Sequence, residues 1–185
     1  MSFNNLEKTI AEAYELSDDK TSANKYITLA GKRKNAIDKY CWNEEKVFYF
    51  DYDYVAGKQK ESLTSAAAYP LFFQIASKEQ AAGVAKIIKE KFLFAGGLIS
   101  TTETTTQQWD APNGWAPLHW IAIQGLIKYG YIELAKDIAK RWMDINEKYH
   151  STGKMMEKYN VVSTTLEAGG GEYPEQEGFG GTNGV

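Results

Sequence analysis

Apolar residues at helical spacing recur along this chain in pairs of segments, each pair joined by a short break, and that rhythm constrains the fold more than any other feature. Leu6, Ile10, Ala13 and Tyr14 mark a helix over 4–16. Ser17-Asp18-Asp19 breaks it and offers a cap for a second helix over 20–41, carrying Tyr26, Ile27, Ala30, Ala36, Ile37 and Tyr40. A second pair is expected at 62–76 and 78–92, where Val84, Ile87, Ile88 and Phe92 form one stripe before Gly96-Gly97 ends it. A third pair falls at 115–129 and 131–149, with Leu118, Ile121, Ala122 and Leu126 facing Leu134, Ala135, Ile138 and Trp142. Successive αα-hairpins with loops gathered at one end predict an all-α chain of toroid or solenoid type, although no exact repeat is visible.

Two stretches depart from the rhythm. Between Trp42 and Gln59 the pattern alternates, Val47, Tyr49, Asp51, Asp53 and Val55 against Phe48, Phe50, Tyr52 and Tyr54, which predicts an extended excursion or small hairpin. From Ser100 to Gln108 threonine dominates, and a loop with extended backbone is expected. After Gly153 the texture turns to glycine, acids and aromatics; composition alone allows a flexible tail.

Formal net charge is −3, with lysines and acids intermixed, so the basic face of a phosphate-backbone binder is missing and nucleic acid is not an expected partner. No apolar run approaches the ~20 residues that cross a bilayer, so no membrane span is expected. Cys41 is the one cysteine, which rules out an internal disulfide and a cysteine-based zinc site; it reads as a small buried hydrophobe. His119 and His150 lack HxxxH or HxE spacing, so His119 reads as a core or rim hydrogen-bonding group, His150 as surface, and neither a metal nor a cofactor is implied. No charged-then-apolar leader occupies the first twenty residues, and the compartment, cytoplasmic or periplasmic, stays open. The aromatic share is 14%, enough to build either core or the flat apolar walls on which sugar faces pack.

The densest motif is QQWDAPNGWAP at 107–117. Pro112 pushes Ala111 toward extended backbone, Pro112-Asn113-Gly114 favours a tight turn, and Pro117 suits a first helical turn. A stiff loop bearing Trp109, Asp110, Asn113 and Trp115 can hold an apolar surface beside hydroxyl-binding groups, as a sugar pocket requires. The residues leave a second reading open, a packed tryptophan loop in which Asp110 caps the turn or helix. Glu157 beside Lys158 reads as a solvated charge from the residues alone, and Glu172, after three glycines, as a carboxylate set against a ligand or as an exposed acid. Tyr159, Tyr173 and Phe179 serve packing or line the same site.

QWDAPNGWAP resembles a diagnostic motif of the trehalases, glycoside hydrolase family 37. GGGEYPEQEGFGGTNGV at 169–185 resembles that family's glycine-rich segment, and MEKYNV at 156–161 its Glu-Lys-Tyr segment. LEKTIAEAY near the start and LTSAAAYPLF at 63–72 extend the resemblance over essentially the whole chain. The resemblance implies an (α/α)6 toroid, incomplete here, with residues 1–185 as the carboxy-terminal part of one catalytic domain. It implies inverting hydrolysis of α,α-trehalose to glucose by two carboxyls about 6.5–9.5 Å apart. It also implies Glu157 as the base and Glu172, fifteen residues on, as an acidic substrate ligand.

The family's general acid and sugar-gripping arginines belong to motifs that nothing in 1–20 matches, and Asp18 or Asp19 is not promoted to that role. The expectation is a chain that supplies the base half of a site, is inactive alone, and self-associates through exposed helix faces. The family pattern also has Trp where this chain has Gly181, and continues beyond Asn-Gly-Val. Two alternatives remain beside the enzyme: a non-catalytic or degenerate carbohydrate-binding protein, and a helical interaction scaffold.

Overall fold

The computed structural model describes residues 2–150, 153, 155–165, 168, 176–177 and 180–183, with the backbone alone at His150 and Asn183. The chain divides into two compact units, Met1–Lys60 and Glu61–Val185.

In the first unit, α1 (Ser2–Leu16) and α2 (Lys20–Cys41) form an antiparallel pair, with α2 beginning and ending where the periodicity places it. Asp18 takes a left-handed turn at φ 61°, and Asp19 caps α2 by accepting the Ser22 N–H at 3.0 Å. Buried Ala11, Ala23 and Ala30 let the helices approach closely. Polar groups fix the register: Asn4 Nδ2 donates to the Ala30 carbonyl at 2.6 Å, and Arg33 grips Glu7 through Nε and Nη2 at 3.0 and 2.7 Å. The Arg33 hydrogen bonds hold the Glu7 carboxyl below its ordinary range against the opposing effect of burial.

The alternating stretch becomes two minimal hairpins instead of one long strand, β1 (Trp42–Asn43) with β2 (Phe48–Tyr49) and β3 (Tyr52–Asp53) with β4 (Lys58–Gln59). The expected two-faced pattern fails because Phe48, Tyr49 and Phe50 are all buried in succession, while Tyr54 and Val55 stand exposed in the second turn. Gln59 staples the hairpins to the end of α2, its Nε2 donating to the carbonyls of Tyr40 and Trp42 at 3.1 and 2.8 Å. Cys41 is half-buried rather than enclosed, and partial burial raises its thiol pKa.

In the second unit the expected helix at 62–76 shortens to a 3₁₀ turn, Ser65–Ala68, and one turn of helix, α3 (Tyr69–Phe72). Pro70 belongs to the first turn of α3, where its missing N–H is harmless, and Gln74 ends the segment at φ 52°. Next come α4 (Lys78–Ile87), opened by a Ser77–Gln80 capping box, and a wider π-type turn, Ile88–Phe92. A hairpin follows, β5 (Leu93–Phe94) with β6 (Gly97–Leu98). After the threonine loop, β7 (Asn113–Gly114) leads into α5 (Ala116–Lys128) and α6 (Ile132–His150), each within about one residue of expectation. Gly125 lets α5 meet α3, since a Cβ there would sit 2.9 Å from the Phe72 nitrogen. The chain returns as β8 (Tyr159–Asn160), paired antiparallel with β7, and α7 (Gly180–Asn183) closes the described residues. Among these residues no helix is long and apolar enough to cross a membrane.

Candidate active site

The site grows from β7 and β8. Asn113 pairs with Asn160 and Gly114 with Tyr159, so the motif at 107–117 and the segment holding Glu157 share one short ladder. Backbone bonds widen it: Val161 N donates to the Pro112 carbonyl at 3.0 Å, Gly96 N to Val161 O at 2.8 Å, and Ser100 N to Asn113 O at 3.0 Å. Gly114 makes this stack possible, because a Cβ would lie 2.5 Å from Val161 Cγ1 and 2.6 Å from Leu98 O.

Beneath the ladder lies His119, fully buried on α5. The Leu98 N–H points at its Nε2 at 2.8 Å, so that nitrogen accepts, and Nδ1–H donates to the Trp115 carbonyl at 2.8 Å. The ring stacks on Trp142 with centroids 3.8 Å apart. Burial pushes its pKa down to about 4, so it stays neutral at physiological pH. His119 is thus the core hydrogen-bonding group expected of it.

The motif loop turns earlier than its Pro-Asn-Gly predicts. Asp110 N bonds to Gln107 O at 3.2 Å and Asn113 N to Asp110 O at 3.0 Å, which leaves Asn113-Gly114 free to form strand. The Ala111–Pro112 bond is cis. Asp110 organises the approach: its Oδ2 accepts from the Thr105 amide, from Thr105 Oγ1 at 2.7 Å and from Gln107 N at 3.2 Å. Burial alone would raise its pKa, yet these hydrogen bonds hold the carboxyl below the ordinary aspartate range. The capping reading therefore describes this oxygen. Asn113 is fully buried and donates from Nδ2 to the Gln108 carbonyl at 3.4 Å. Trp115, 4% exposed, donates its Nε1 to the same carbonyl at 3.3 Å. Trp109 lies flat on Trp115, centroids 4.0 Å apart and planes at 12°, and remains 48% exposed. A half-exposed indole fixed face-on against a buried one is a rigid apolar platform of the sort a pyranose ring stacks on.

Glu157 is 1% exposed, which overturns the solvated-charge reading. Its backbone is held from both sides. Glu157 N donates to Gln176 O at 2.8 Å, Met156 bridges to Glu177, and Thr182 Oγ1 reaches the carbonyls of Met156 and Glu157 at 2.7 and 3.4 Å. Lys158, equally buried, donates from Nζ to Gln108 Oε1 in the motif loop. Tyr159 is core, edge-on to Trp142 and Tyr149, with its hydroxyl accepting the Met156 N–H at 3.0 Å. Glu172, Tyr173 and Phe179 lie outside the described residues. Gln108, Lys158 and Thr182 did not stand out in the sequence, since their partners lie 50 and 26 residues away and no local spacing announces them.

Helix pairs whose connecting loops carry a buried carboxylate and a stacked indole pair place the chain in the α/α-toroid class of folds. The mannosylglycerate hydrolase of Thermus thermophilus, solved with glucose, shares this fold at TM-score 0.71 and 21% identity, over 91% of this chain and 42% of that one. The neutral trehalase of Saccharomyces cerevisiae superposes at TM-score 0.78 and 28% identity, over 87% of this chain and 33% of its own. A periplasmic trehalase of Escherichia coli is 45% identical over 181 residues, 97% of this chain. With the trehalase family profile matching residues 2–185, the chain belongs to the trehalase family. It spans 32% of the length of that Escherichia coli relative.

Proposed function

We propose that this chain supplies the base side of an inverting trehalose-hydrolysing site, with Glu157 as general base and the Trp109 indole as sugar platform. The observation that carries the reading is the burial of Glu157. Taking a carboxylate out of water costs free energy that a surface position avoids, which makes this one a candidate for function, and its backbone is set by bonds from two segments beside a loop that carries a sugar-compatible surface. In the inverting reaction the ionised Glu157 takes a proton from water as its oxygen attacks the anomeric carbon, while an acid outside this segment protonates the departing glycosidic oxygen. The second carboxylate oxygen of Asp110 serves as a hydroxyl partner beside the platform, Asn113 holds the loop from its buried position, and Glu172 adds a carboxylate from the glycine-rich segment. The isolated chain, holding one carboxyl of the pair, releases no glucose at an enzymatic rate.

The test grafts the whole chain in place of the matching segment of the Escherichia coli periplasmic trehalase, a swap that 45% identity makes practicable. The graft should hydrolyse trehalose, and Glu157→Gln should lower kcat by roughly 10²–10⁴ while trehalose still quenches or enhances tryptophan fluorescence. Full activity in Glu157→Gln rules out its role as base. A graft that binds trehalose but never turns it over points instead to a carbohydrate-binding relative without catalysis.

A further inference from the structure

The platform and the base sit on segments about fifty residues apart, and beside the β7–β8 ladder a side-chain bond joins them. Gln108 directly precedes Trp109, and its backbone carbonyl receives both Trp115 Nε1 and Asn113 Nδ2. Its side-chain oxygen receives Lys158 Nζ, from the residue that directly follows Glu157. An ammonium group only donates, so Lys158 dictates which end of the Gln108 amide faces it, and the amide is not free to flip. The consequence is visible at the other end: Nε2 of Gln108 is buried and has no hydrogen-bond partner among the described residues. Leaving a donor in the interior without an acceptor is unfavourable, so the bond from Lys158 carries the orientation of the amide.

We propose that Gln108 is a positioning residue of the hydrolytic site, registering the Trp109–Trp115 platform against Glu157 through its bond to Lys158. The proposal rests on the role given to Glu157 above. A bound sugar is placed by the platform, whereas the attacking water is placed by Glu157. A slip between the two segments therefore leaves sugar stacking intact and spoils the line of attack, and displacements of about 1 Å suffice to cost up to about 10²-fold in rate. Any substitution at Gln108 keeps the backbone carbonyl that holds Trp115, so side-chain variants isolate the lysine link.

The experiment uses the active graft and measures kcat and KM for trehalose in Gln108→Met, Lys158→Met, the double variant and Gln108→Glu. Gln108→Met should lower kcat by about tenfold or more with KM within about twofold of the parent. The double variant should be no worse than the weaker single, since both break the Gln108–Lys158 bond. Gln108→Glu, which keeps an oxygen for Lys158, should recover most of the rate. Additive losses, no rescue by Gln108→Glu, or a fall in binding with kcat unchanged would each overturn the proposal. Trehalose titration of tryptophan fluorescence in the Glu157→Gln background reports folding of every variant independently of turnover, so a misfolded Gln108→Met passes the decision to Gln108→Glu, which must then retain most of the parent kcat. The two readings fail separately: an active Glu157→Gln defeats the base assignment, and a fully active Gln108→Met defeats the link alone.

Discussion

The helical pair of the first unit and the ladder of the second hold themselves together by opposite means, and their glycines show it. In α2, Gly31 is exposed with nothing within 4 Å of where a Cβ would stand. Around His119, a Cβ on Gly96, Gly97 or Gly114 would meet another atom at 3.0 Å or less. The first region is built from a two-helix contact lined by small buried alanines and from side-chain bonds such as Glu7–Arg33, so that exposed positions such as Gly31 are replaceable. The second brings three backbone segments and one imidazole together with no spare volume. The proposed site, which would hold an indole and a carboxylate in register, calls for the second kind of construction, while a two-helix hairpin does not.

The hardest break of that contrast is Gly97→Ala. Gly97 sits at φ +126°, which an L side chain rarely adopts, and the added methyl would lie 2.3 Å from His119 Nε2. The ring cannot yield easily, because both its nitrogens are hydrogen-bonded and one face is covered by Trp142. Backbone strain and overpacking together should cost about 3–5 kcal/mol, read as a lowered urea midpoint with the unfolding slope unchanged. A loss under about 1 kcal/mol would show that the ladder has slack.

His119 gives the next largest effect and a direction for pH. An unfolded histidine takes up a proton near pH 6.5, whereas in the folded chain burial delays uptake to about 4. Between those values the unfolded state binds more protons, so this contribution to stability is complete above about pH 6.5 and declines as pH falls toward 4. The decline should reach about 2 kcal/mol between pH 7 and pH 5, above the range in which the lowered carboxyls of Glu7 and Asp110 lose theirs. Urea unfolding at the two pH values measures it, and His119→Gln, which cannot titrate, should flatten the difference. A difference that survives that substitution belongs to another group.

The same contrast explains what the sequence could disclose. The bounds of α2 and nearly those of α5 and α6 follow from apolar spacing and from caps such as Asp19, because helix signals lie within four residues of their effects. The segment at 62–76 misleads for the same reason: LTSAAAYPLF has helical spacing, but Pro70 and the left-handed Gln74 leave a 3₁₀ turn and one turn of α-helix. The run at 42–59 misleads in the opposite sense, since its alternation belongs to two hairpins folded back within eight residues each. The family was legible from the motif, which also marked Trp109 and Trp115. Asp110 was half legible, as its carboxylate proves to organise Thr105 and Gln107. Gln108, Lys158 and the pivot of His119 on Leu98 were not, because their geometry is set by contacts 50 and 21 residues distant.

Gly31→Ala sharpens the comparison from its quiet end. Glycine in a helix interior loses more backbone freedom on folding than alanine, a difference of about 0.5–1 kcal/mol. In α2 the position is solvent-facing and has room for a methyl group, so no packing term opposes that gain. The substitution should therefore stabilise the chain by about that amount, a small rise in urea midpoint opposite in sign to Gly97→Ala. Because Gly31 touches neither the Trp109 platform nor the Glu157 segment, trehalose turnover by the grafted enzyme should be unchanged. A destabilised Gly31→Ala would mean that α2 uses the bare backbone at Gly31 for a close contact, and the division between replaceable helix and closely fitted ladder would have to be redrawn.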